Sequence, residues 1–221
     1  AAGQTVTYTA HGNNTGSNEA HALYIDDTIN AGNWTITPGI RYERIRSQWE
    51  AHPSSTVVVK GPTQRREDYS KPLPSLNVIY HVSDALKLYA NAETSFGALQ
   101  YCQIGQKDST NQFAAGLKPE TARTYEIGSR YDTKAWGGEV SVFRINFDHE
   151  LQLVGKLPNQ PDSHDGWTSL GATTHKGVET AGHVDLGAFN DALDGLTLWG
   201  TATYTHAFYK HGSFAGRDLP F

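Results

Sequence analysis

Leu117-Lys118-Pro119-Glu120-Thr121-Ala122 leads into Arg123-Thr124-Tyr125-Glu126-Ile127-Gly128-Ser129-Arg130-Tyr131-Asp132, turns at Lys134-Ala135-Trp136-Gly137-Gly138, and returns through Glu139 to Val154. In the first arm Tyr125, Ile127 and Tyr131 alternate with Thr124, Glu126, Gly128 and Arg130, so a strand here has one aromatic, apolar face and one polar, charged face. In the second arm Phe143, Ile145, Phe147 and Leu151 share one parity, and Arg144, Asn146, Asp148 and Gln152 the other. That arm exceeds the usual strand of about 5 to 6 residues and suits the roughly 9 to 11 that a tilted strand needs to cross a bilayer. A hairpin of this kind separates two solvents, and it predicts a membrane β-barrel.

The same alternation recurs on both sides. A strand from Ala20 to Ile29 turns at Asn30-Ala31-Gly32-Asn33 and returns with Trp34, Ile36, Ile40 and Tyr42 against Thr35, Thr37, Arg41 and Glu43. Pro38 removes a ladder donor there and marks a bulge or a locally unpaired strand. Leu76, Val78, Tyr80 and Val82 oppose Ser75, Asn77 and His81; after Ser83-Asp84-Ala85, Leu86, Leu88, Ala90 and Ala92 oppose Lys87, Tyr89, Asn91 and Glu93. Val178, Thr180, Val184 and Leu186 oppose His175, Glu179, His183 and Asp185, and Leu196, Leu198, Ala202 and Tyr204 oppose Thr197, Thr201, Thr203 and Thr205. Eight strands are readable, with a ninth at Gln4 to Thr9 followed by a Gly/Asn/Ser loop, His11 to Ser17.

Connections alternate between short (30–33, 83–85, 133–138, 188–195) and long (47–71, 96–119, 153–173), the rhythm of an outer-membrane barrel with short periplasmic turns and long external loops. The inward parity then carries Arg41, Glu43, Lys87, Glu93, Glu126, Arg130, Arg144, His175, Glu179 and His183. Buried charges cost several kcal/mol each unless paired, so these suit a wide lumen rather than a small filled barrel. The fold class expected is all-β: an antiparallel transmembrane β-barrel segment, about eight to nine strands of a roughly 22-stranded barrel.

Leu117 to Tyr131 resembles the Pro-Glu-x-Ala-x-x-x-Glu-x-Gly strand of TonB-dependent outer-membrane receptors, and Lys176-Gly177-Val178-Glu179-Thr180 is similar to the Lys-Gly-x-Glu strand that follows it in that family. Glu19 to Asp27 with Gly32 to Glu43, and Pro72 to His81, resemble the ferric citrate receptor branch. The motifs stand in the family's order and cover about residues 19 to 180. The resemblance implies a bacterial outer-membrane location and TonB-dependent uptake of a ferric chelate, ferric citrate or another siderophore. It also implies a plug domain through which the TonB system acts. On this reading residues 1–221 are a partial barrel domain, expected without its plug and remaining strands.

Composition agrees with that reading and bounds the alternatives. With 221 residues, 38% hydrophobic and 19% charged, and a mean hydropathy of -0.52, the chain has no apolar run long enough for a transmembrane helix. A strand-built wall hides from a hydropathy window because its faces alternate. The sequence has no methionine, begins Ala1-Ala2-Gly3-Gln4, and ends in loop chemistry at Phe221, which reads as truncation. A net charge of -5, with Arg65-Arg66 the only basic cluster, argues against a nucleic-acid partner. The single cysteine, Cys102, is either a lone loop thiol or half of a bridge to a residue outside the chain.

No catalytic constellation stands out. Nothing resembles Gly-x-Ser-x-Gly, and Ser163 beside His164-Asp165 lies in a loop, so the chain is not expected to be an enzyme. His175 and His183 share a parity but lie roughly 26 Å apart along a strand, too far for one ion; they read as polar lumen lining, with no metal or cofactor implied. For an anionic iron chelate, the ligand candidates are Arg44, Arg46, Arg65 and Arg66 through charge-assisted bonds, with amide contacts from Gln100, Gln103, Gln152 and Asn159. For each, an ordinary solvated loop residue is the favoured alternative. A passive porin or adhesin-type barrel remains the rival reading, and a carbohydrate-binding β-sandwich a weaker one. The expected partners are the ferric chelate, the TonB system through the plug, and outer-membrane lipid.

Overall fold

The computed structural model describes residues 6–10, 14–52, 59–108, 110–156, 165–211 and 213–219. Along the chain these form β1 (Val6–Ala10), β2 (Asn14–Asp26), β3 (Ile29–Ala31), β4 (Trp34–Ala51), β5 (Gln64–His81), β6 (Leu86–Gly97), the short helix α1 (Tyr101–Ile104), β7 (Glu120–Asp132), β8 (Trp136–Lys156), β9 (Asp165–Asp185) and β10 (Thr197–Tyr209). The sheet order is β1-β2-β4-β5-β6-β7-β8-β9-β10, with β3 also on β4, and every pairing is antiparallel. Apart from the short β3, each strand therefore pairs with the next in sequence, the meander expected of a barrel wall, and β1 and β10 are its two edges.

Short turns close one end. Gly32 supplies the positive φ of +58° between β3 and β4. Leu86 N–H donates to Ser83 Oγ at 3.0 Å, and Thr133 N–H to the Trp136 carbonyl at 3.0 Å. Two 3-10 turns, Leu186–Ala188 and Asp191–Leu193, carry β9 into β10. Pro38 lies opposite the break between Asp26 and Ile29, where the β2 ladder stops and the β3 ladder starts, so its missing donor falls at an interruption.

The register sorts side chains onto two faces. One carries Leu23, Ile25, Ile40, Leu76, Leu88, Ile127, Val140, Val142, Val178 and Leu198, all large apolar residues left exposed. Aromatic residues bound this belt on the same face. Trp34 stacks on Tyr80 at 4.7 Å and Tyr131 on Trp136 at 4.6 Å near the short turns, while Tyr42, Tyr125 and Tyr204 stand at the other rim. From Trp34 to Tyr42 the strand advances about 26 Å, which at a tilt near 40° is about 20 Å of membrane normal, close to the roughly 25 Å band of outer-membrane barrels.

The other face is concave. The segment 98–119, with α1, touches Trp49 on β4 and Trp167 on β9, although β5 to β8 lie between those strands, so the sheet curves round it. This is the lumen side, and the small core of the chain, Trp49, Ala51, Leu99, Ile104 and Leu117, is built there.

Two sequence expectations change. The segments 47–71 and 153–173 are mostly strand: β4 runs to Ala51, β5 starts at Gln64, β8 runs to Lys156 and β9 starts at Asp165. Beyond the rim the outer face meets water instead of lipid, so hydropathy no longer marks it while the backbone ladder continues. Likewise Asn14–Ser17, expected in a loop, belong to β2. The second correction concerns β8. Val142 pairs with Ile127 and Val178, and Arg144 with Tyr125 and Lys176, which puts Val140, Val142 and Arg144 on the lipid face and Phe143, Ile145 and Phe147 in the lumen. Arg144 is therefore not a lumen residue.

Candidate functional site

The lumen wall between β5 and β8 is a connected polar network. Asn77 and Asn91 are hydrogen-bonded across strands, and Asn91 Nδ2 donates to Glu126 Oε2 at 3.1 Å. The Tyr89 hydroxyl donates to Glu139 Oε1 at 2.5 Å, and Glu126 Oε1 lies 3.2 Å from the same oxygen. Arg130 grips Glu139 Oε2 through Nε at 2.9 Å and Nη2 at 2.6 Å. These residues share one parity of their strands, and each alternates with a residue of the apolar belt. The wall needs polar partners inward because that side is wet. Further along, His175 Nε2 lies 3.0 Å from Glu150 Oε2, which Thr173 also reaches, and the bulge at His149 (φ 60°) turns Glu150 onto this face.

Segment 98–119 seats on the upper lumen wall. Gln100 N–H donates to Gln103 Oε1 at 2.7 Å, a side-chain cap for α1, and Gly105 N–H closes it on the Tyr101 carbonyl at 3.2 Å. Tyr101 lies against Gly16 on β2, where any Cβ would collide with its ring, and Gly105 lies as closely against the Trp49 indole. Gln106 behaves as a strand residue: its Nε2 donates to the Trp167 carbonyl at 2.8 Å and its Oε1 accepts from Trp167 N–H at 2.7 Å. Next to it the Asp108 carboxylate accepts from Thr110 Oγ1 at 2.7 Å, Thr110 N–H at 2.8 Å and Gln112 N–H at 3.1 Å. The Thr110 side chain and the Gln112 and Thr110 amides hold its pKa below the ordinary carboxylate value.

The ligand candidates separate by face. Arg65 points inward, with Nε 2.6 Å from Glu67 Oε1, Nη1 3.5 Å from the Ala114 carbonyl, and its guanidinium 5.6 Å from the Phe113 ring centre. It therefore touches the segment that holds Gln100, which is exposed, and Gln103, which is buried. Arg44, Arg46 and Arg66 face outward beyond the rim. Arg44 forms a two-pronged pair with Asp68 at 3.1 and 2.8 Å, Arg46 Nε lies 3.2 Å from the same carboxylate, and Arg66 stands opposite Gln48. Gln152 pairs with Thr168, half-buried on β8, and Asn159 lies outside the described residues. The parity of Tyr42 and Ile40, continued two and four residues on, was the signal that Arg44 and Arg46 leave the lumen. Gln106 carried no signal in the sequence, since its partner lies on β9.

Known proteins share this arrangement. The family profile described as TonB dependent receptor-like, beta-barrel matches residues 2–221. The unliganded ferric citrate transporter FecA is 38% identical, superposes with a TM-score of 0.68, and is matched over 94% of this chain and 29% of its own. The ferric yersiniabactin uptake receptor FyuA from Yersinia pestis (18% identity, TM-score 0.67, 94% of this chain, 30% of that one) shares the fold. So does the copper transporter OprC (12% identity, TM-score 0.70, 94% and 31%). The chain spans under a third of the length of each of the three, by those same shares.

Proposed function

The chain belongs to the TonB-dependent receptor β-barrel family, and from that membership we propose that it forms an arc of the wall of a receptor that takes up a ferric chelate, ferric citrate or another siderophore. Barrels of this family lie in the outer membrane of Gram-negative bacteria, and the known relatives are transporters and receptors. In this proposal residues 1–221 are a partial barrel domain of a longer protein, whose plug engages the TonB system, and the wall has no catalytic part. The observation that carries the reading is a wall with a lipid belt on one face and a satisfied polar network on the other, joined to 38% identity with a ferric citrate transporter over 94% of the chain.

The chelate is proposed to meet the lumen side of the upper wall. The proposed contacts there are Arg65 and Gln100, with Gln103 and Gln106 holding their segment in place and Arg44, Arg46 and Arg66 serving the outer surface. A carboxylate-rich anion accepts charge-assisted bonds from a guanidinium, each a major share of affinity. In the full-length receptor, Arg65→Ala is expected to weaken ferric citrate binding about tenfold, and Arg44→Ala or Arg66→Ala by less than about twofold. Quenching of tryptophan emission reads the affinity. Equal losses from outward and inward arginines, or no saturable binding of any ferric chelate, would defeat the proposal.

A further inference from the structure

Among the described residues, Arg144 and Lys176 are a pair of cations on the lipid face without a carboxylate partner. Four outward rows can be read from the register near the rim: Ile127, Val142, Val178 and Tyr204 in the belt; Tyr125, Arg144, Lys176 and His206 directly above; Arg123, Asn146, Thr174 and Phe208 next; and Asp148 after them on β8. The other outward arginines near this level are paired, Arg123 with Asp148 at 3.2 Å and Arg44 with Asp68 at 2.8 Å, and the His206 ring lies 2.8 Å from Asp218. Arg144 and Lys176 are direct cross-strand partners, both exposed, and among the described residues neither forms an ion pair. Arg144 Nε donates to Asn146 Oδ1 at 3.0 Å, and Lys176 Nζ lies 5.4 Å from the Phe208 ring centre, which leaves the outer guanidinium nitrogens and the ammonium available. Like charges directly opposed on a sheet destabilise it, more so beside a lipid belt of low dielectric.

A second feature ends at the same place. An apolar groove runs over Ala90 and Ala92 between the ridges of Leu76 and Val78 on one side and Ile127 and Val142 on the other, and Tyr125 and Arg144 close its upper end. The small side chains of Ala90 and Ala92 make it, and all these residues share the lipid face. Its apolar lining suits an acyl chain, and its charged end suits that chain's headgroup.

We propose that Arg144 and Lys176 bind a phosphate of an outer-leaflet glycolipid whose acyl chain lies in the groove over Ala90 and Ala92. The leaflet follows from the topology, since the rim with Arg144 is the one that bears segment 98–119 and the extended β4 and β5, opposite the short turns. Arg144 supplies paired donors to the phosphate oxygens and Lys176 a point charge, and the anion cancels their mutual repulsion. The proposal stands on the wall's orientation in the membrane and not on the identity of the transported chelate.

The test uses the full-length receptor, freed of lipopolysaccharide in detergent and titrated with three probes: phosphorylated lipid A, the same glycolipid stripped of phosphate, and inorganic phosphate. Native mass spectrometry counts bound lipid. Arg144→Gln/Lys176→Gln is expected to weaken phosphorylated lipid A at least about tenfold and to leave the stripped glycolipid unchanged, while the lumen variant Lys87→Gln changes neither. Removing one repelling charge should not impede folding, and Lys176→Gln alone gives a smaller loss in the same direction if the double variant fails to assemble. Binding of phosphorylated lipid A that is equal in the wild type and the variants overturns the proposal. So does wild-type binding that ignores the phosphate, or displacement of the glycolipid by millimolar inorganic phosphate, which would assign the cations to a soluble anion.

Discussion

Placing one arginine on each face of the β7–β8 hairpin tests the orientation of the wall. Val140 is 45% exposed on the belt face, midway between Trp136 and Arg144 and about 13 Å of strand from each, so it sits near the bilayer midplane. There Val140→Arg costs about 2 to 4 kcal/mol, with little water within reach of the guanidinium. Thr124 lies on the lumen face with Glu93 as its direct cross-strand partner, so Thr124→Arg gains an opposite charge and changes stability by less than about 1 kcal/mol. Relative to the wild type, the belt variant should lose roughly thirty- to a thousandfold in its folding equilibrium while the lumen variant stays near unity. The assay is a guanidinium titration of the full-length receptor in phospholipid vesicles, followed by tryptophan emission and by the gel mobility of folded barrel. Equal destabilisation by the two variants, or the larger loss at Thr124, would show that the two faces have been assigned the wrong way round.

Other consequences follow from single contacts. Glu139→Gln removes the charge that the exposed Arg130 grips through two nitrogens and should cost about 1 kcal/mol in the same titration, whereas a loss above about 3 kcal/mol would mean that the network is dry rather than wet. Gly16→Ala puts a Cβ into the Tyr101 ring and is expected to unseat segment 98–119 at a cost of about 1 to 3 kcal/mol; unchanged protease resistance of that segment would contradict the packing. Asp108 has its pKa lowered in the folded state, so the bonds it accepts stabilise the loop above its unfolded pKa and are lost as pH falls through the folded value. Amide protection factors at Thr110 and Gln112 should accordingly drop in acid and vanish in Asp108→Ala; protection that persists in the variant would sink this account. Residues 1–221 expressed alone expose the unpaired edges of β1 and β10 and should aggregate without detergent, so a monodisperse, cooperatively unfolding monomer in buffer would refute the open arc.

Much of this wall is legible in the sequence. Along β6 and β7 the partners Leu88, Ala90, Ile127 and Tyr125 alternate with Lys87, Tyr89, Glu126 and Arg130 so regularly that a period-of-two reading assigns both faces. The family motif at Leu117–Tyr131 runs from the end of segment 98–119 into β7, and Lys176–Thr180 falls on β9. The reading failed where contacts join residues distant in sequence. Gln106 and Trp167, Tyr101 and Gly16, and Arg65 and Phe113 meet because the sheet curves, and no local pattern encodes curvature. It failed on β8 for a different reason: Phe143, Ile145 and Phe147 outweigh Val140 and Val142 in hydrophobicity, so the heavier parity was given to lipid.

That misassignment exposes a rule of this wall, in which the polarity of the alternation inverts at the outer rim. Below the rim of β8, Val140 and Val142 face out and Glu139 and Ser141 face in; above it, Arg144 and Asn146 face out and Ile145 and Phe147 face in. On β4, Ile40 and Tyr42 face out with Arg41 and Glu43 inside, and then Arg44, Arg46 and Gln48 face out with Trp49 and Ala51 buried inside. On β10, Ala202 and Tyr204 face out, then His206 does, while Ala207 is buried on the lumen side. The cause is a change of solvent on both sides at once. Lipid gives way to water outside, and the water of the lumen gives way to segment 98–119 and its apolar residues inside. Each strand is thus a membrane wall for its lower half and one side of a water-soluble core for its upper half. A hydrophobic residue therefore reports its face only after its height is known, and the paired change from Tyr42 to Arg44 and from Val142 to Arg144 gives that height.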